Sequence, residues 1–262
     1  MAVAMTVDLM SATVQLEQPL PKGTHTVATG FLIADPTPDG QPRTVLITAD
    51  HVFEAMPGDQ ATIGWRIKAA DGSWSYAPQK IAIRAGGKPL WTRNPSRDVA
   101  ALTISAPPEF ARAAIPLSWL AGDDALAKNQ LEPGEEMLTL GFPQGLSANA
   151  AGFPILRSGR VASYPIGPST ASPTFLLDFQ VFPGNSGGPV WLDEPGEDGP
   201  RLIAGILTQQ VQKGDQFMGI GIVTQAQFVR DTLALLDQPA KDSPGLAPAA
   251  STYATDTAAS KK

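Results

Sequence analysis

The sequence predicts an all-β protein, built as two successive six-stranded units with one α-helix at the C-terminus. Three observations predict it. The 262-residue chain carries 25 glycines and 25 prolines, a turn content that suits many short strands. Short β-branched and aliphatic runs recur between those turn signals. Helical periodicity is confined to one segment near the end. Hydrophobic residues make up 43 % of the chain. A chain this long buries roughly 70 to 75 % of its unfolded surface and needs no covalent staple.

The first series opens with Val27–Ile33 and Arg43–Thr48, joined across Asp35-Pro-Thr-Pro-Asp-Gly40 as a hairpin with a longer loop. Ala61–Ile67, Ile81–Ile83 and Val99–Ile104 continue it. A connecting stretch from about Ala106 to Pro133, with several prolines and aspartates, separates the two series. The second comprises Glu136–Gly141, Leu156–Ala162, Thr174–Phe179, Pro189–Leu192, Leu202–Leu207 and Met218–Val223. The helix is expected over about 225–237. Thr224-Gln-Ala-Gln227 reads as its capping box, with Phe228, Val229, Leu233 and Leu236 near one face. From Gln238 onward Pro, Ala, Ser, Thr and Lys dominate, so 239–262 is expected to be a disordered tail.

Composition removes several chemistries. With no cysteine, disulfides, zinc–thiolate sites, iron–sulfur clusters and a thiol nucleophile are excluded. Only His25 and His51 could supply a catalytic imidazole, and two histidines leave little scope for a histidine-rich metal site. The formal net charge is -6, from 19 basic and 25 acidic side chains, which argues against a nucleic-acid partner. No run approaches the ~18 apolar residues of a spanning helix, so no membrane partner is expected. The start lacks a basic leader region, which predicts a cytoplasmic protein, or a secreted or periplasmic one if the N-terminus was trimmed.

Three short segments carry chemistry. Pro183-Gly-Asn-Ser-Gly-Gly-Pro189 presents Ser186 in a glycine-rich bend, where a hydroxyl and neighbouring N–H groups become approachable. Leu46-Ile-Thr-Ala-Asp-His51 delivers a histidine at the end of a β run. Ser96-Arg-Asp98-Val-Ala-Ala-Leu102 sets a carboxylate at the mouth of an apolar strand. Each alone has an ordinary structural reading as turn, surface or cap. Together they supply a nucleophile, a general base and an orienting carboxylate.

In these segments the chain resembles the trypsin-like (chymotrypsin-fold) serine peptidases, and more closely their cysteine-free bacterial, HtrA-like branch. Thr48-Ala-Asp-His51, Asp98-Val-Ala-Ala-Leu102 and Gly184-Asn-Ser-Gly-Gly-Pro189 resemble the family's three motifs in chain order. Gly141-Phe-Pro-Gln-Gly145 and Ser158-Gly-Arg-Val-Ala162 resemble the start of its second barrel. The resemblance implies a peptidase domain over 1–238, folded as two six-stranded antiparallel β-barrels at about 10–105 and 134–223. It implies a serine endopeptidase with His51 as general base, Asp98 as its orienting partner and Ser186 as nucleophile. The N–H groups of Gly184, Asn185 and Ser186 would form the oxyanion hole, and no cofactor or metal would be needed. The implied partner is a protein or peptide substrate, with an activating partner or oligomer a further option.

Two departures inform the reading. Asn185 replaces the aspartate that pairs with a freshly cut N-terminus in zymogen-activated relatives, so no such activation is expected. The stretch after Asp237 is too short for the PDZ domain that HtrA-like proteins often carry, so none is expected. The resemblance places Gln180 at the base of the specificity pocket, Thr208, Gln209 and Gln210 along one wall, and Gly221 opposite. None carries a charge, and a buried substrate cation would lack a partner, so cleavage after a small or medium uncharged residue is expected. A protease-fold binding or regulatory module, inactive or latent until a partner orders the oxyanion loop, is the rival reading; the intact triad and glycine motif favour the enzyme. Asp193–Asp198 reads as a solvated acidic loop, and Gly219-Ile-Gly221 as a close-packed strand. His25 is expected at the surface, and the five tryptophans in the core or an interface.

Overall fold

The computed structural model describes residues 5–128, 131–192, 202–213 and 216–238. The expected tail 239–262 and the acidic loop Asp193–Asp198 lie outside them. The N-terminal unit contains α1 (Met5–Ala12), β1 (Thr13–Pro19), β2 (His25–Ala34), β3 (Thr44–Thr48), α2 (Asp50–Glu54), β4 (Gln60–Lys68) and β5 (Trp74–Ala82). It continues with β6 (Arg84–Ala85), β7 (Lys88–Pro89), β8 (Thr92–Arg93) and β9 (Ala100–Ile104). A connector adds α3 (Pro108–Ala113), β10 (Ile115–Pro116) and α4 (Asp123–Lys128). The second unit holds β11 (Glu136–Gly141), β12 (Ile155–Val161), β13 (Thr174–Asp178), β14 (Pro189–Leu192), β15 (Ile203–Lys213) and β16 (Gln216–Gln225), followed by α5 (Ala226–Leu235).

The second unit is a closed six-stranded barrel, ordered β11-β12-β13-β16-β15-β14. The first has the order β5-β4-β1-β2-β3-β9-β8, with β10 parallel to β2, and its hydrogen-bonded path does not close among the described residues. The ends of that path explain why. β8 is two residues long, and β5 is a largely exposed strand carrying Pro78, Gln79 and Lys80, residues that suit an edge.

β1 is not among the strands expected from the sequence. It pairs with β2 from Thr13↔Phe31 to Pro19↔His25, and with β4 on its other side. Val14 and Leu16 are buried, and so are Thr13 and Gln15. The Gln15 side chain donates to the Gly145 carbonyl of the second unit at 3.1 Å. A central strand at an interface between units hides its polar face as well, although Thr13-Val-Gln-Leu-Glu17 alternates polar and apolar residues in sequence.

The helix begins later than its expected capping box. Thr224 is the penultimate residue of β16, paired with Thr174 and Ile206, and its hydroxyl lies 3.2 Å from that of Thr208. Gln225 takes the cap position without a side-chain cap bond. Gln227 instead accepts the Asp123 N–H and donates to Asp231. The apolar face is as expected: Val229 and Leu233 are buried, and Phe228 and Leu236 pack against the core. Beyond it, Asp237 meets Arg43 of the first unit at 2.6 Å, and Arg43 also pairs with Asp35. Trp65, Trp91 and Trp191 are buried, whereas Trp74 is exposed on β5 and packs edge-on to Phe153. His25 is exposed.

Candidate active site

β3 is buried along nearly its whole length, and its apolar run ends at Thr48, where the chain turns into α2. His51 falls in the first turn of that helix. Asp98 closes a tight turn before β9, and one side chain builds the turn: Asn94 Oδ1 accepts from Ser96 N, Ser96 Oγ and Arg97 N, each at 3.0 Å. The same side chain donates to the Phe228 carbonyl and the Thr232 hydroxyl of α5. The aspartate loop is thereby tied to the terminal helix.

The His51–Asp98 pair is doubly joined. Nδ1 lies 2.6 Å from Asp98 Oδ2, and the His51 backbone N–H donates to Asp98 Oδ1 at 2.9 Å. The histidine side chain is 45 % exposed and the aspartate 17 %, so the pair sits at a cavity wall with one ring face accessible. Desolvation pushes the imidazole pKa down. The hydrogen bond to Asp98, with the charges of Asp98, Asp50 and Glu54, outweighs it and holds the pKa above the ordinary 6.5. Behind the histidine, buried Asp50 accepts from Trp91 Nε1 at 2.6 Å; burial raises its pKa, against the pull of that bond and of Arg93.

Residues 182–188 form the serine loop. Gly184 has φ +98 and Gly187 φ +88. A Cβ on Gly184 would lie 2.1 Å from the Phe142 carbonyl oxygen, and one on Gly187 2.1 Å from that of Thr29. Only glycine fits either place. Thr29 stitches the loop to the first unit: its hydroxyl donates to Gly184 O at 2.6 Å and accepts from Phe142 N, and its N–H donates to Ser186 O. The Pro183 carbonyl is held by the Gln144 N–H at 2.6 Å, and the Asn185 N–H is committed to the Phe182 carbonyl. Among the described residues, the N–H groups of Gly184 and Ser186 meet no acceptor. The Ser186 hydroxyl donates to Thr208 O across a long 3.4 Å.

A cavity of about 360 Å³ brings these elements together. Asp50, His51, Glu54, Ser96, Arg97 and Asp98 line it from the first unit. Val181–Pro183, Ser186 and Thr208–Gln210 line it from the second. Of the residues expected to shape specificity, Thr208, Gln209 and Gln210 are there and two are not. Gln180 is exposed outside the lining, its carbonyl bonded to Arg157. Phe179 and Val181 are buried on either side of Gln180, whose side chain lies on the exposed side of the irregular segment that follows β13. Gly221 lies beneath the wall, where a Cβ would meet Phe179 at 2.7 Å and Val181 at 3.0 Å. Val181, Phe182 and the positioning residues Asn94 and Thr29 were not read from the sequence. The one available signal was an Asn two residues before a Ser, a common turn motif.

The family model of the trypsin-like peptidase domain matches residues 28–197. The chain belongs to that family. No curated protein matches this peptidase domain in sequence. Among solved structures, the HtrA-type protease AlgW with a tripeptide is similar at 17 % identity and a TM-score of 0.55, over 89 % of this chain and 62 % of that one. AlgW with a decapeptide gives 17 % and 0.52, over 88 % and 66 %. The protease Anisep from Arthrobacter nicotinovorans gives 16 % and 0.48, over 85 % and 93 %. This peptidase domain thus spans about 62 to 66 % of the length of the AlgW chains, and at these identities the likeness is one of fold.

Proposed function

We propose that this chain is a serine endopeptidase that cleaves protein or peptide substrates through an acyl-enzyme. One observation carries the reading. A histidine oriented by a carboxylate at 2.6 Å shares a cavity with a serine whose own N–H and that of Gly184 lack acceptors. His51 takes the proton of Ser186 Oγ as that oxygen attacks the scissile carbonyl. Asp98 holds the tautomer and stabilises the imidazolium. The Gly184 and Ser186 N–H groups receive the oxyanion; the Asn185 N–H, already spent on Phe182, does not. His51 then protonates the leaving amine, and water repeats the sequence on the acyl-enzyme. The long bond to Thr208 is readily surrendered, and hydrogen bonds to catalytic groups commonly tighten only when substrate binds.

The wall from Val181 to Pro183 and from Thr208 to Gln210 carries no charge, which supports cleavage after a small or medium uncharged residue. The fixed Pro183 carbonyl counts against a collapsed oxyanion loop. A fluorophosphonate probe tests the reading: it labels the native protein and fails on Ser186→Ala. Absence of labelling on a native protein with an intact circular-dichroism spectrum would overturn it in favour of a latent or binding module. A peptide library dominated by cleavage after Arg or Lys would sink the specificity.

A further inference from the structure

Arg97 lies beside Asp98 on the cavity wall, and the proposed hydrolysis does not use it. Every other charged side chain lining the cavity has an opposite partner. Asp98 meets His51, while Asp50 and Glu54 share Arg93 at 3.5 and 3.0 Å. Among the described residues Arg97 meets no carboxylate. Its Nη1 donates to the Ser96 carbonyl at 2.7 Å, and its Nε is buried without an acceptor. The guanidinium sits 5.1 Å from the centroid of the Phe228 ring.

These contacts hold a cation in place and leave its charge unanswered. The aromatic ring and the Asn94 turn restrict the side chain, so little rotamer freedom remains to be lost when a ligand engages it. A guanidinium offers five donors in a planar fork that matches a carboxylate, and here one of them has a protein acceptor. A buried N–H without an acceptor disfavours folding, so packing alone does not explain the arrangement. Glu54 lies 3.0 Å from Arg93, which it shares with Asp50, and this contact reduces its opposition to an incoming anion without removing it.

We propose that Arg97 is a specificity-determining residue that reads a carboxylate side chain of the substrate, within a few residues of the scissile bond. The inference rests on the reading of this cavity as a peptidase site. In the proposed function the residue before the cut meets the uncharged wall of Val181–Pro183 and Thr208–Gln210, so the acidic residue is assigned to another position. With the chain at a net charge of -6, the attraction is local, and added salt weakens it.

The test uses the full chain with Ser186→Ala and dye-labelled octapeptides of alanine, serine and threonine. One position at a time carries Glu or its isostere Gln, and anisotropy gives each Kd. At one position the Glu peptide binds about tenfold more tightly than the Gln peptide, the scale of a charge-assisted hydrogen bond. Adding Arg97→Gln abolishes that ratio, and Arg97→Lys, which keeps the charge but not the fork, retains part of it. Equal binding at every position overturns the inference, as does a preference that survives Arg97→Gln in a protein with unchanged melting. If the Arg97-dependent preference is present but the native protein takes no fluorophosphonate, the catalytic reading falls, and with it the assignment to substrate specificity, leaving Arg97 as a carboxylate-reading residue of a peptide-binding cavity.

Discussion

His51, Asp98 and Ser186 were legible because each residue type is rare or chemically distinctive in its setting, and the three occur in an informative order. Their surroundings were not legible. Thr29 reads as an ordinary β-branched strand residue, yet its hydroxyl bridges Gly184 O and Phe142 N. Gln180 lies outside the cavity because a count back from the serine does not fix which side chains of an irregular segment face it. Two predictions belong to this scale. The imidazole pKa is raised above 6.5 and the base must be neutral, so kcat/KM should rise with pH along an acid limb lying above that value. Asp98→Asn removes the bonded charge that raises it, so the limb should move down as the rate falls; a limb that stays put in a pH–rate profile would deny Asp98 this role. Gly184→Ala forces a Cβ to within 2.1 Å of Phe142 O at a φ of +98, so the loop must shift and misplace an oxyanion donor. Turnover should drop by about 10² to 10³, with near-normal substrate binding by Ser186→Ala/Gly184→Ala. Native-like turnover would place the oxyanion elsewhere.

Among elements, the strands carrying dense β-branched and aliphatic runs were legible, including β3, β11 and β14, which are buried on both faces, whereas β1 and β5 were not. β1 alternates over only five residues, Thr13–Glu17, with two apolar side chains, and β5 exposes most of both faces, so neither offers the aliphatic run that marks the other strands. The helix α5 was found from its apolar face, but its start was set by tertiary structure: β16 keeps Thr224 in the sheet and leaves the expected cap unused. What sequence could not show is that α5 braces the Asp98 turn through Asn94. That side chain makes three accepted and two donated hydrogen bonds while 2 % exposed. Asn94→Ala should therefore cost about 1 to 3 kcal/mol, the range for stranding buried polar partners. It should also lower kcat more than it raises KM, because Asp98 loses its fixed approach to His51. Urea melts and steady-state kinetics check both. A loss of stability with kcat unchanged would make Asn94 a scaffold residue only.

At the scale of the whole molecule, the site exists only if the two units keep their relative placement. His51 and Asp98 come from one, Ser186 and the proposed oxyanion donors, the Gly184 and Ser186 N–H groups, from the other. Ties between them include Thr29 to the serine loop, Arg43 to Asp237, Gln15 to the Gly145 carbonyl, Asn94 to α5, and Arg66. Arg66 on β4 is 1 % exposed and has no carboxylate partner among the described residues. It donates to the carbonyls of Met10, Ser11 and Gly152 and lies against the rings of Phe110 and Phe153. Burial lowers its pKa to about 10, which means that the folded state disfavours the cation relative to water. Below that value the arginine stays charged, so at neutral pH it carries a desolvation penalty that three carbonyl bonds and two rings offset. A depressed basic pKa makes this penalty constant at neutral pH and relieves it only as pH rises past about 10. Truncation removes the offsetting contacts and strands three acceptors, whereas a long apolar chain keeps the volume. Arg66→Ala should destabilise by about 3 to 5 kcal/mol, and Arg66→Met by less. The decisive readout is cooperativity. Trp65 and Trp91 report on the first unit and Trp191 on the second, so single-tryptophan variants follow each half through a urea melt. The two reporters should coincide in the native background and separate in Arg66→Ala, with loss of fluorophosphonate labelling following the earlier one. Coincident melts in Arg66→Ala would mean that the other ties suffice to couple the units.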